Sequence, residues 1–319
     1  MEIDQNKTSK NKIITIIGPT ASGKTSLAVK LSKQLNAEVI SLDSRQIYKY
    51  MPIGTAQPTE KEMDGITHHL IGFSDPSEPI SAGTYADLVM DKVQMIQGYG
   101  KVPILCGGAG LYYRAIKRGI FEGSITDQDL RKDLEASYDE DPYSLMNKLR
   151  SIDPDYAEIV HLNNKRRLVR ALEIFGTTGK SPSNHFNEQS SNPSKCLDLF
   201  TIMLDWKRVN LIKRINLRLE QMLSLGWIEE VTNLLDKQRK DSTFFPALNS
   251  IGYGQIKSYL NGEKNYVEMK DEIMIKTRQF ARRQKQWFKK EHIDIAIKMD
   301  DIEKNKIAQI LYCLSKVII

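Results

Sequence analysis

The feature that most constrains this chain is a glycine loop between an apolar run and a helical pattern. Residues 18–25, GPTASGKT, fit GxxxxGK[ST]; the β-branched run 13–17 precedes them and a helical pattern over 25–35 follows. Strand, glycine loop and helix in this order are the context in which the pattern binds phosphate. Turned backbone N–H groups and the helix N-terminus form a cradle for anions. The chain is therefore predicted to bind a di- or triphosphate group.

Within this phosphate loop (residues 18–25), two side chains have expected roles beyond the backbone. The loop comprises Gly18, Pro19, Thr20, Ala21, Ser22, Gly23, Lys24 and Thr25. Lys24 would add a mobile positive charge, and the Thr25 hydroxyl would hold Mg²⁺. Arg214 and Arg218 lie four residues apart on a predicted helix, where they could clamp a pyrophosphate by charge-assisted hydrogen bonds. A solvated helix face, with these arginines paired to nearby glutamates, is the alternative.

Composition indicates a globular protein without a membrane span. The 319 residues are 40% hydrophobic and 27% charged, which is ordinary for one or two folded domains. There is no long uncharged apolar run, and the polar N-terminus lacks a secretory signal, so a cytoplasmic protein is expected. Cys106, Cys196 and Cys313 are far apart in sequence and predict neither a disulfide framework nor a zinc site.

Positive charge is concentrated in two segments. The net charge is +6, yet residues 276–290 (KTRQFARRQKQWFKK) carry seven Lys or Arg and no acid. A second cluster, NKRRLVR, occupies residues 164–170. Basic clusters interleaved with aromatic residues suit a phosphate backbone and unstacked bases. Nucleic-acid contact is therefore favoured, and a solvated helix face is the alternative.

The arrangement of apolar runs predicts an α/β protein with an insertion. Runs at 38–42, 101–106 and 199–204 are predicted strands of a parallel sheet with helices on both faces. Residues 121–198 read as a helical insertion domain that ends in a polar loop at 179–195. The core is then discontinuous, 1–120 and 199–319. Helical patterns over 210–235 and 268–290 belong to that core.

Asp43 follows the second predicted strand, at the edge where parallel α/β sheets build their sites. Its carboxylate could ligate magnesium or act as a general base, and capping of the next helix is the alternative. No later apolar strand is predicted to end in a clear second acidic magnesium ligand, which weakens an ordinary ATPase interpretation. The glycine stretch 107–110 permits close approach of backbone to a ligand or neighbour, although a plain strand-to-helix turn explains it equally well.

Taken together, blocks spread over residues 13–290 resemble the tRNA dimethylallyltransferase family, also called IPP transferases. The blocks are GPTASGKTSLA (18–28), DSRQIYKYMPIGTAQP (43–58), HHLIG (68–72), GGAGLYYRA (107–115), RRLVRALEIFGTTGKSP (166–182), NLRLEQMLSLGWIEEV (216–231), IGYGQ (251–255) and TRQFARRQKQWF (277–288). The second and last blocks are highly specific, whereas the phosphate loop alone is not. Gln57, Gly72 and Ala109 depart from the family, which usually has lysine, aspartate and threonine there.

The resemblance implies a P-loop NTPase-like core and a helical insertion that contacts the tRNA anticodon arm. It implies transfer of a dimethylallyl group from dimethylallyl diphosphate to N6 of adenosine 37, beside the anticodon. Asp43 would be the general base. Lys24, Thr25 and Arg218, with Thr20 and Mg²⁺, would stabilise the departing diphosphate. No membrane or obligatory protein partner is implied, and a monomer is expected.

The residues expected to contact tRNA by this resemblance lie in several blocks. They are Asp43, Ser44, Arg45, Gln46, Ala109, Arg131, Arg166, Arg167, Arg170, Gly252, Tyr253, Arg278, Arg282, Arg283, Gln284 and Trp287. The adenine must leave its stack to react, a base-flipping step that needs polar side chains to read it. Ser44, Arg45 and Gln46 would be those side chains.

Other functions remain open at this point. An adenylate isopentenyltransferase, acting on free nucleotides, would share the catalytic blocks but would need neither the insertion nor the basic C-terminal helix. A P-loop small-molecule kinase or NTPase would hydrolyse or transfer phosphate and would need a second acidic metal ligand. A non-catalytic RNA-binding module would leave the phosphate loop and Asp43 without a use.

Overall fold

The computed structural model describes residues 12–119, 127–190 and 196–301, and it contains one parallel sheet. The strands are β1 (Ile13–Ile17), β2 (Ala37–Leu42), β3 (His68–His69), β4 (Val102–Gly107), β5 (Leu199–Asp205) and β6 (Ile295–Lys298). Their order is β3-β2-β4-β1-β5-β6, and every neighbouring pair is parallel. The expected α/β fold class is confirmed.

Both faces of the central strands are buried, which explains their unbroken apolar sequence. Along β1, Ile13 and Ile17 join one hydrophobic cluster, whereas Ile14 and Ile16 join a second cluster on the opposite face. Successive side chains of a strand point to opposite faces, so a wholly apolar strand requires cover on both. Helices provide that cover.

Helices fill most of the remaining described sequence. They are α1 (Lys24–Leu35), α2 (Glu60–Met63), α3 (Ala82–Gly98), α4 (Gly110–Arg118), α5 (Gln128–Glu140), α6 (Pro142–Ile152), α7 (Pro154–Ile159), α8 (Lys165–Thr178), α9 (Pro182–Ser190), α10 (Arg208–Ser224), α11 (Trp227–Lys240), α12 (Tyr253–Leu260) and α13 (Tyr266–Phe288). Short 3-10 turns occupy Pro246–Asn249 and Met299–Asp301. In the three described ranges, no helix combines the length and the apolar character that crossing a membrane requires.

Two sequence predictions about local structure were wrong. The helical pattern over 210–235 is two helices, because Gly226 adopts a left-handed conformation (φ 94°) and ends the run between α10 and α11. The segment 179–195, predicted as a polar loop, contains α9, which starts at Pro182. Proline is well suited to the first turn of a helix, since its missing N–H would have no partner there. The short edge strands β3 and β6 carried no sequence signal that was recognised.

The chain divides into two compact units, with boundaries after residue 117 and after residue 196. The larger unit contains the sheet. The smaller unit, which includes α5 to α9, has its own core around Leu149, Leu168 and Leu172. Within that unit the fully buried carboxylate of Glu173 pairs with Arg131 and Arg170, both at 2.8 Å.

The strand registers place three loops of the larger unit at one edge of the sheet. Gly107 is in register with Ile17 of β1 and with Leu42 of β2, so the strands β1, β2 and β4 end level with one another. The chain leaves these strands at Gly18, Asp43 and Gly108. The carboxyl edge of a parallel sheet is where α/β proteins bind ligands, so a ligand site is expected at this edge.

Candidate active site

The phosphate loop forms an open cradle of backbone N–H groups between β1 and α1. Ala21 (φ 62°) and Gly23 (φ 92°) are left-handed, which turns the peptide planes of the loop. Within the described part of the chain, the N–H groups of Ala21, Gly23, Lys24 and Thr25 have no hydrogen-bond partner. Unpaired N–H groups at a helix N-terminus attract anions. The loop is therefore built to receive phosphate oxygens.

Lys24 contacts the phosphate loop with its ammonium group, and its pKa is lowered. Its Nζ donates to the carbonyl oxygens of Gly18 (3.1 Å) and Pro19 (2.8 Å). Burial, with a smaller contribution from nearby Arg218, lowers the pKa of Lys24 from 10.5 to about 8, while Cys106 and Asp43 oppose the shift. An arriving anion would favour the charged ammonium, because an opposite charge raises the pKa of a lysine.

Trp206 and Arg214 support the phosphate loop through its carbonyl groups. The indole Nε1 of Trp206, just after β5, donates to the carbonyl of Ser22 (2.9 Å). Arg214 Nε, on α10, donates to the carbonyl of Ala21 (2.7 Å), and its guanidinium lies 4.6 Å from the ring centroid of Trp206. Trp206 and Arg214 hold the carbonyl oxygens of these two peptides. Because the N–H group of a peptide points opposite to its carbonyl, the N–H groups of the same peptides point away from Trp206 and Arg214. Arg214, which the sequence predicted to clamp a pyrophosphate, thus contacts the backbone of the phosphate loop, and its contact with a diphosphate stays a prediction.

Arg218 joins the phosphate loop to the polar segment, which we define as residues 43–57. Its Nη1 contacts the Thr20 hydroxyl (3.4 Å), and its Nη2 contacts the carbonyl of Ala56 (3.5 Å). Burial lowers the pKa of the guanidinium, and Asp43 is its largest opposing influence. A guanidinium stays charged at any ordinary pH, so a positive charge is fixed between the two loops.

Asp43 begins the polar segment with a turn that its own side chain stabilises. Asp43 Oδ1 accepts hydrogen bonds from the N–H groups of Arg45 (2.8 Å) and Gln46 (3.4 Å). Its other carboxylate oxygen has no hydrogen-bond partner among the described residues. Asp43 thus caps a turn rather than a helix and still presents one oxygen for proton transfer. Ser44 and Gln46 beside it are half-buried, and Arg45 is exposed.

Amide and carboxylate side chains hold the rest of the polar segment rigidly. Gln46 Nε2 donates to the carbonyl of Ala56 (2.7 Å), and its Oε1 accepts from the Ser41 hydroxyl (3.2 Å). The buried Glu230 accepts from the N–H groups of Ile53 (2.7 Å) and Gly54 (2.9 Å). Burial raises the pKa of Glu230, and the three hydrogen bonds it accepts oppose that shift.

Two of the three departures from the family pattern meet in this segment. Gln57 Nε2 donates to the carbonyl oxygens of Gln46 (3.0 Å) and Tyr48 (2.8 Å). A Cβ built on Gly72 would lie 3.3 Å from Gln57 Oε1, and Gly72 is left-handed (φ 58°). The positions where the family usually has lysine and aspartate are therefore neighbours. Here a neutral amide next to a glycine takes their place.

The glycine stretch after β4 is shaped by neighbouring protein. A Cβ on Gly108 would lie 2.3 Å from Gln284 Nε2, and one on Gly110 would lie 2.4 Å from the Trp287 ring. The N–H groups of Gly108 and Ala109 both donate to the carbonyl of Leu42 (3.0 Å each). Close approach of α13 explains these glycines, and the third departure, Ala109, contributes a backbone hydrogen bond.

Five of the residues predicted to contact tRNA lie on helix α13. Arg282 and Arg283 are exposed, Arg278 and Trp287 are half-buried, and Gln284 is buried. Arg278 Nε donates to the carbonyl of Met274 in its own helix (3.2 Å). The helix therefore offers the guanidinium groups of Arg282 and Arg283 to solvent.

Gly252 and Tyr253, also predicted to contact tRNA, are buried instead. The Tyr253 hydroxyl donates to Glu230 (2.7 Å), and the side chain has no exposed surface. A Cβ on Gly252, whose φ is 94°, would lie 2.0 Å from the Trp227 ring. In this structure both residues support the Glu230 contacts to the polar segment.

In the smaller unit, four predicted tRNA arginines divide into two pairs. Arg131 and Arg170 carry ion pairs to the buried Glu173, as described above. Arg166 and Arg167 are exposed in the first turn of α8. The first pair is committed to holding its unit together, so the second pair is the part of this cluster that a nucleic acid would reach.

The sequence prediction that no later strand ends in a second acidic residue was wrong. β5 ends in Asp205, a residue that the sequence prediction of a strand over 199–204 excluded. Lys285 pairs with that carboxylate at 2.5 Å. Among the described residues, no group of three or more His, Cys, Asp or Glu side chains could hold a metal ion. The Thr25 hydroxyl is an oxygen donor of the kind that Mg²⁺ prefers, and its role as a magnesium ligand stays a prediction.

Sequence reasoning missed three residues that fix the site: Trp206, Glu230 and Gln57 as a backbone anchor. Trp206 follows a strand at the carboxyl edge, so the rule that singled out Asp43 could also have found it. Glu230 and Gln57 act over long sequence distances or through backbone groups, and no local pattern marks them.

A parallel sheet with this phosphate loop after β1, and with a carboxylate after β2, defines a P-loop protein. The chain belongs to the IPP transferase family, whose profile matches residues 46–291. The family membership expected from the sequence is thereby confirmed.

Named relatives cover most of the chain. It is 41% identical over 282 residues to the tRNA dimethylallyltransferase of Acetivibrio thermocellus, covering 88% of this chain and 89% of that protein. The crystal structure of a tRNA isopentenylpyrophosphate transferase from Bacillus halodurans is 38% identical with a TM-score of 0.70, covering 97% of each chain. A crystal structure of a eukaryotic dimethylallyltransferase acting on tRNA is 30% identical with a TM-score of 0.76, covering 87% of this chain and 70% of that one.

Proposed function

We propose that this chain transfers a dimethylallyl group from dimethylallyl diphosphate to N6 of adenosine 37 in tRNA and releases diphosphate. The arrangement that carries this conclusion is the junction at Arg218, which contacts both the phosphate loop and the polar segment that Asp43 begins. An anion cradle and a carboxylate thus lie on the two sides of one fixed positive charge. The names of the relatives support the same activity.

At the acceptor side, Asp43 acts as the general base. The N6 lone pair of adenine forms a bond to C1 of the allyl group as the bond between C1 and the diphosphate oxygen breaks. That electron pair leaves with diphosphate, and the N6 proton passes to the unengaged oxygen of Asp43. A positioned base of this kind typically contributes about 10²- to 10⁴-fold to the rate.

At the leaving-group side, charge develops on diphosphate and the phosphate loop receives it. The unpaired N–H groups of the loop, Lys24 and Arg218 supply positive potential that is already in place before the reaction. Thr25 would hold Mg²⁺, which when bound would neutralise part of the diphosphate charge. An allylic diphosphate is already activated, so positioning, a base and an anion site supply what the reaction needs.

Exposed arginines serve tRNA binding. Arg282 and Arg283 of α13, with Arg166 and Arg167 of α8, would contact the phosphate backbone of the anticodon stem-loop. Ser44 and Arg45 would read the flipped adenine, while the buried Tyr253 and Gln284 are scaffold residues. A monomer acting on tRNA in the cytoplasm is part of this proposal.

The test is a transfer assay with Mg²⁺, dimethylallyl diphosphate and unmodified tRNA, followed by nucleoside mass measurement after digestion. A dimethylallyl adduct on adenosine 37 is expected. An adduct on free AMP or ADP, but none on tRNA, would instead indicate a nucleotide prenyltransferase. Consumption of ATP without any adduct would indicate a kinase or NTPase.

The basic helix offers a separate test of tRNA binding. Replacement of both Arg282 and Arg283 by alanine should weaken tRNA binding and flatten its salt dependence by about 0.7 to 0.9 in log–log slope for each lost phosphate contact. The affinity is measured at several salt concentrations. An unchanged slope would mean that this face of α13 does not contact phosphates.

A further inference from the structure

A buried glutamine of α13 bridges two loops of the site. Gln284 Oε1 accepts a hydrogen bond from the N–H of Thr20 in the phosphate loop (2.9 Å). Gln284 Nε2 donates to the carbonyl of Gly108, after β4 (3.0 Å). The residue is only 7% exposed. The family resemblance predicted that Gln284 contacts tRNA, but in the structure its side-chain amide forms hydrogen bonds with protein backbone.

The bridge has little slack, because α13 is held on either side of it. Ala281 packs against Leu211 and Ile215 of α10. Lys285 pairs with Asp205 and lies 3.5 Å from the carbonyl of Trp206. The position of Gly108 is equally tight, since a Cβ there would overlap Gln284 Nε2. The helix, the phosphate loop and the glycine stretch are therefore spaced by one amide group.

We propose that Gln284 is a positioning residue for the diphosphate, acting by fixing Thr20 and the backbone beside it rather than by contacting RNA. This inference rests on the proposed function. Thr20 is the residue that Arg218 also contacts, so the amide bridge sets where the loop meets its fixed positive charge. A neutral amide supplies one donor and one acceptor, which matches a carbonyl on one side and an N–H on the other.

Loss of the bridge should affect the diphosphate more than tRNA. Displacement of reacting groups by about 1 Å costs up to about 100-fold in rate. We therefore expect Gln284→Met, which keeps the volume, to weaken binding of inorganic pyrophosphate and to lower kcat/KM for dimethylallyl diphosphate by about 10- to 100-fold. Affinity for tRNA should stay within about twofold of the wild type.

The decisive variant is Gln284→Glu, with Gln286→Glu as the matched control on the exposed face of the same helix. At neutral pH a carboxylate at 284 can accept from Thr20 but cannot donate to Gly108. A protonated carboxyl group restores both roles, and burial raises the pKa of a carboxyl group. Pyrophosphate affinity of Gln284→Glu should thus recover toward the wild-type value between about pH 7.5 and 5.5.

Calorimetry with pyrophosphate and excess Mg²⁺, on the full chain, gives each affinity as a ratio to the wild type at the same pH. The charged groups around the bridged loops are Lys24, Asp43, Asp205, Arg214, Arg218 and Lys285. All are present in every variant, so their titration largely cancels in the ratio. Gln286→Glu should show a ratio near one at every pH.

Three outcomes overturn the inference: normal pyrophosphate affinity in Gln284→Met, no recovery of folded Gln284→Glu at low pH, or a loss confined to tRNA binding. If Gln284→Glu does not fold, Gln284→Met and its split between pyrophosphate and tRNA affinity decide. A wild-type chain that binds pyrophosphate but does not prenylate tRNA would refute the proposed function alone. The pyrophosphate comparison would still judge the role of Gln284.

Discussion

The phosphate loop and the polar segment lie at the same edge of the sheet and are held in opposite ways. In the phosphate loop, side chains hold the carbonyl groups: Lys24 contacts those of Gly18 and Pro19, Arg214 that of Ala21, and Trp206 that of Ser22. Most of the N–H groups there are left for a ligand. Recognition by this loop therefore depends on backbone groups.

In the polar segment, both kinds of backbone group are already used. Asp43 and Glu230 accept from N–H groups, while Gln46 and Gln57 donate to carbonyls. What remains for a ligand is the side chains, chiefly one oxygen of Asp43 and the exposed Arg45.

This difference explains why the phosphate loop can be recognised in a sequence as a general motif, whereas the polar segment can be recognised only as the signature of one family. A backbone cradle needs glycine and a helix start at fixed spacing, and many proteins share that requirement. A side-chain site on a rigid scaffold needs particular residues and particular anchors, so its sequence is specific to one chemistry.

The largest expected effect comes from Asp43, where scaffold and chemistry overlap. Asp43→Asn keeps an oxygen for the N–H groups of Arg45 and Gln46 but removes the base. Single-turnover transfer should fall by about 10²- to 10⁴-fold with tRNA affinity unchanged. Asp43→Ala should in addition weaken tRNA binding, since the turn is lost. An Asn variant with nearly full rate would assign Asp43 to the turn alone.

The second prediction concerns the charge of Lys24 in the free protein, where burial places its pKa at about 8. Only the ammonium attracts diphosphate, so the unliganded site loses this attraction as pH rises through about 8. Bound diphosphate favours the ammonium, so binding near pH 8 takes up protons. Relative to Lys24→Arg, which stays charged, wild-type affinity for pyrophosphate should fall by up to about tenfold per pH unit above 8.

Calorimetry from pH 6.5 to 9.5, with both proteins in the same buffers, checks that prediction. Titration of pyrophosphate itself affects the two proteins alike, so only their ratio is interpreted. A ratio that does not change with pH would mean that Lys24 remains protonated throughout, and that the cradle acts through its N–H groups without a titrating partner.

The sequence predicted the elements of this site better than the contacts that hold them. Residues 18–25 were recognisable because strand, loop and helix are contiguous, and Asp43 because it follows an apolar run. Gln284 was singled out but given another role, because its partners at Thr20 and Gly108 are distant in sequence. A helical pattern likewise cannot show that Gly226 ends α10, since periodicity continues across the break.

The third prediction tests the scaffold of the polar segment at its two departures. Gly72→Asp alone should destabilise the protein by about 1–2 kcal/mol, because position 72 is left-handed and its side chain would meet Gln57. Gln57→Lys alone should lose amide hydrogen bonds. The double variant should recover part of both losses, with a coupling of about 0.5–3 kcal/mol. Urea unfolding measures all four proteins, and additive losses would show that the two positions do not interact.

The smallest expected effect is that of Trp206→Phe, which separates hydrogen bonding from stacking at the phosphate loop. Phenylalanine keeps a ring under Arg214 and removes only the hydrogen bond to the Ser22 carbonyl. A neutral hydrogen bond contributes about 0.5–1.5 kcal/mol net, so pyrophosphate affinity should fall by about two- to tenfold. Trp206→Leu, which also removes the ring, should fall further, because the Arg214 guanidinium then loses its support.

For both Trp206 variants, tRNA affinity measured without diphosphate should equal that of the wild type, because the polar segment has its own anchors in Glu230 and Gln57. An equal loss of tRNA affinity would contradict the claim that the polar segment is held independently of the phosphate loop. Arg218 contacts both the phosphate loop and the polar segment. If a shift of the phosphate loop also moved Arg218, the contact of Arg218 with Ala56 would move the polar segment as well. The two loops would then behave as one cooperative unit rather than as a backbone cradle beside an independently held side-chain site.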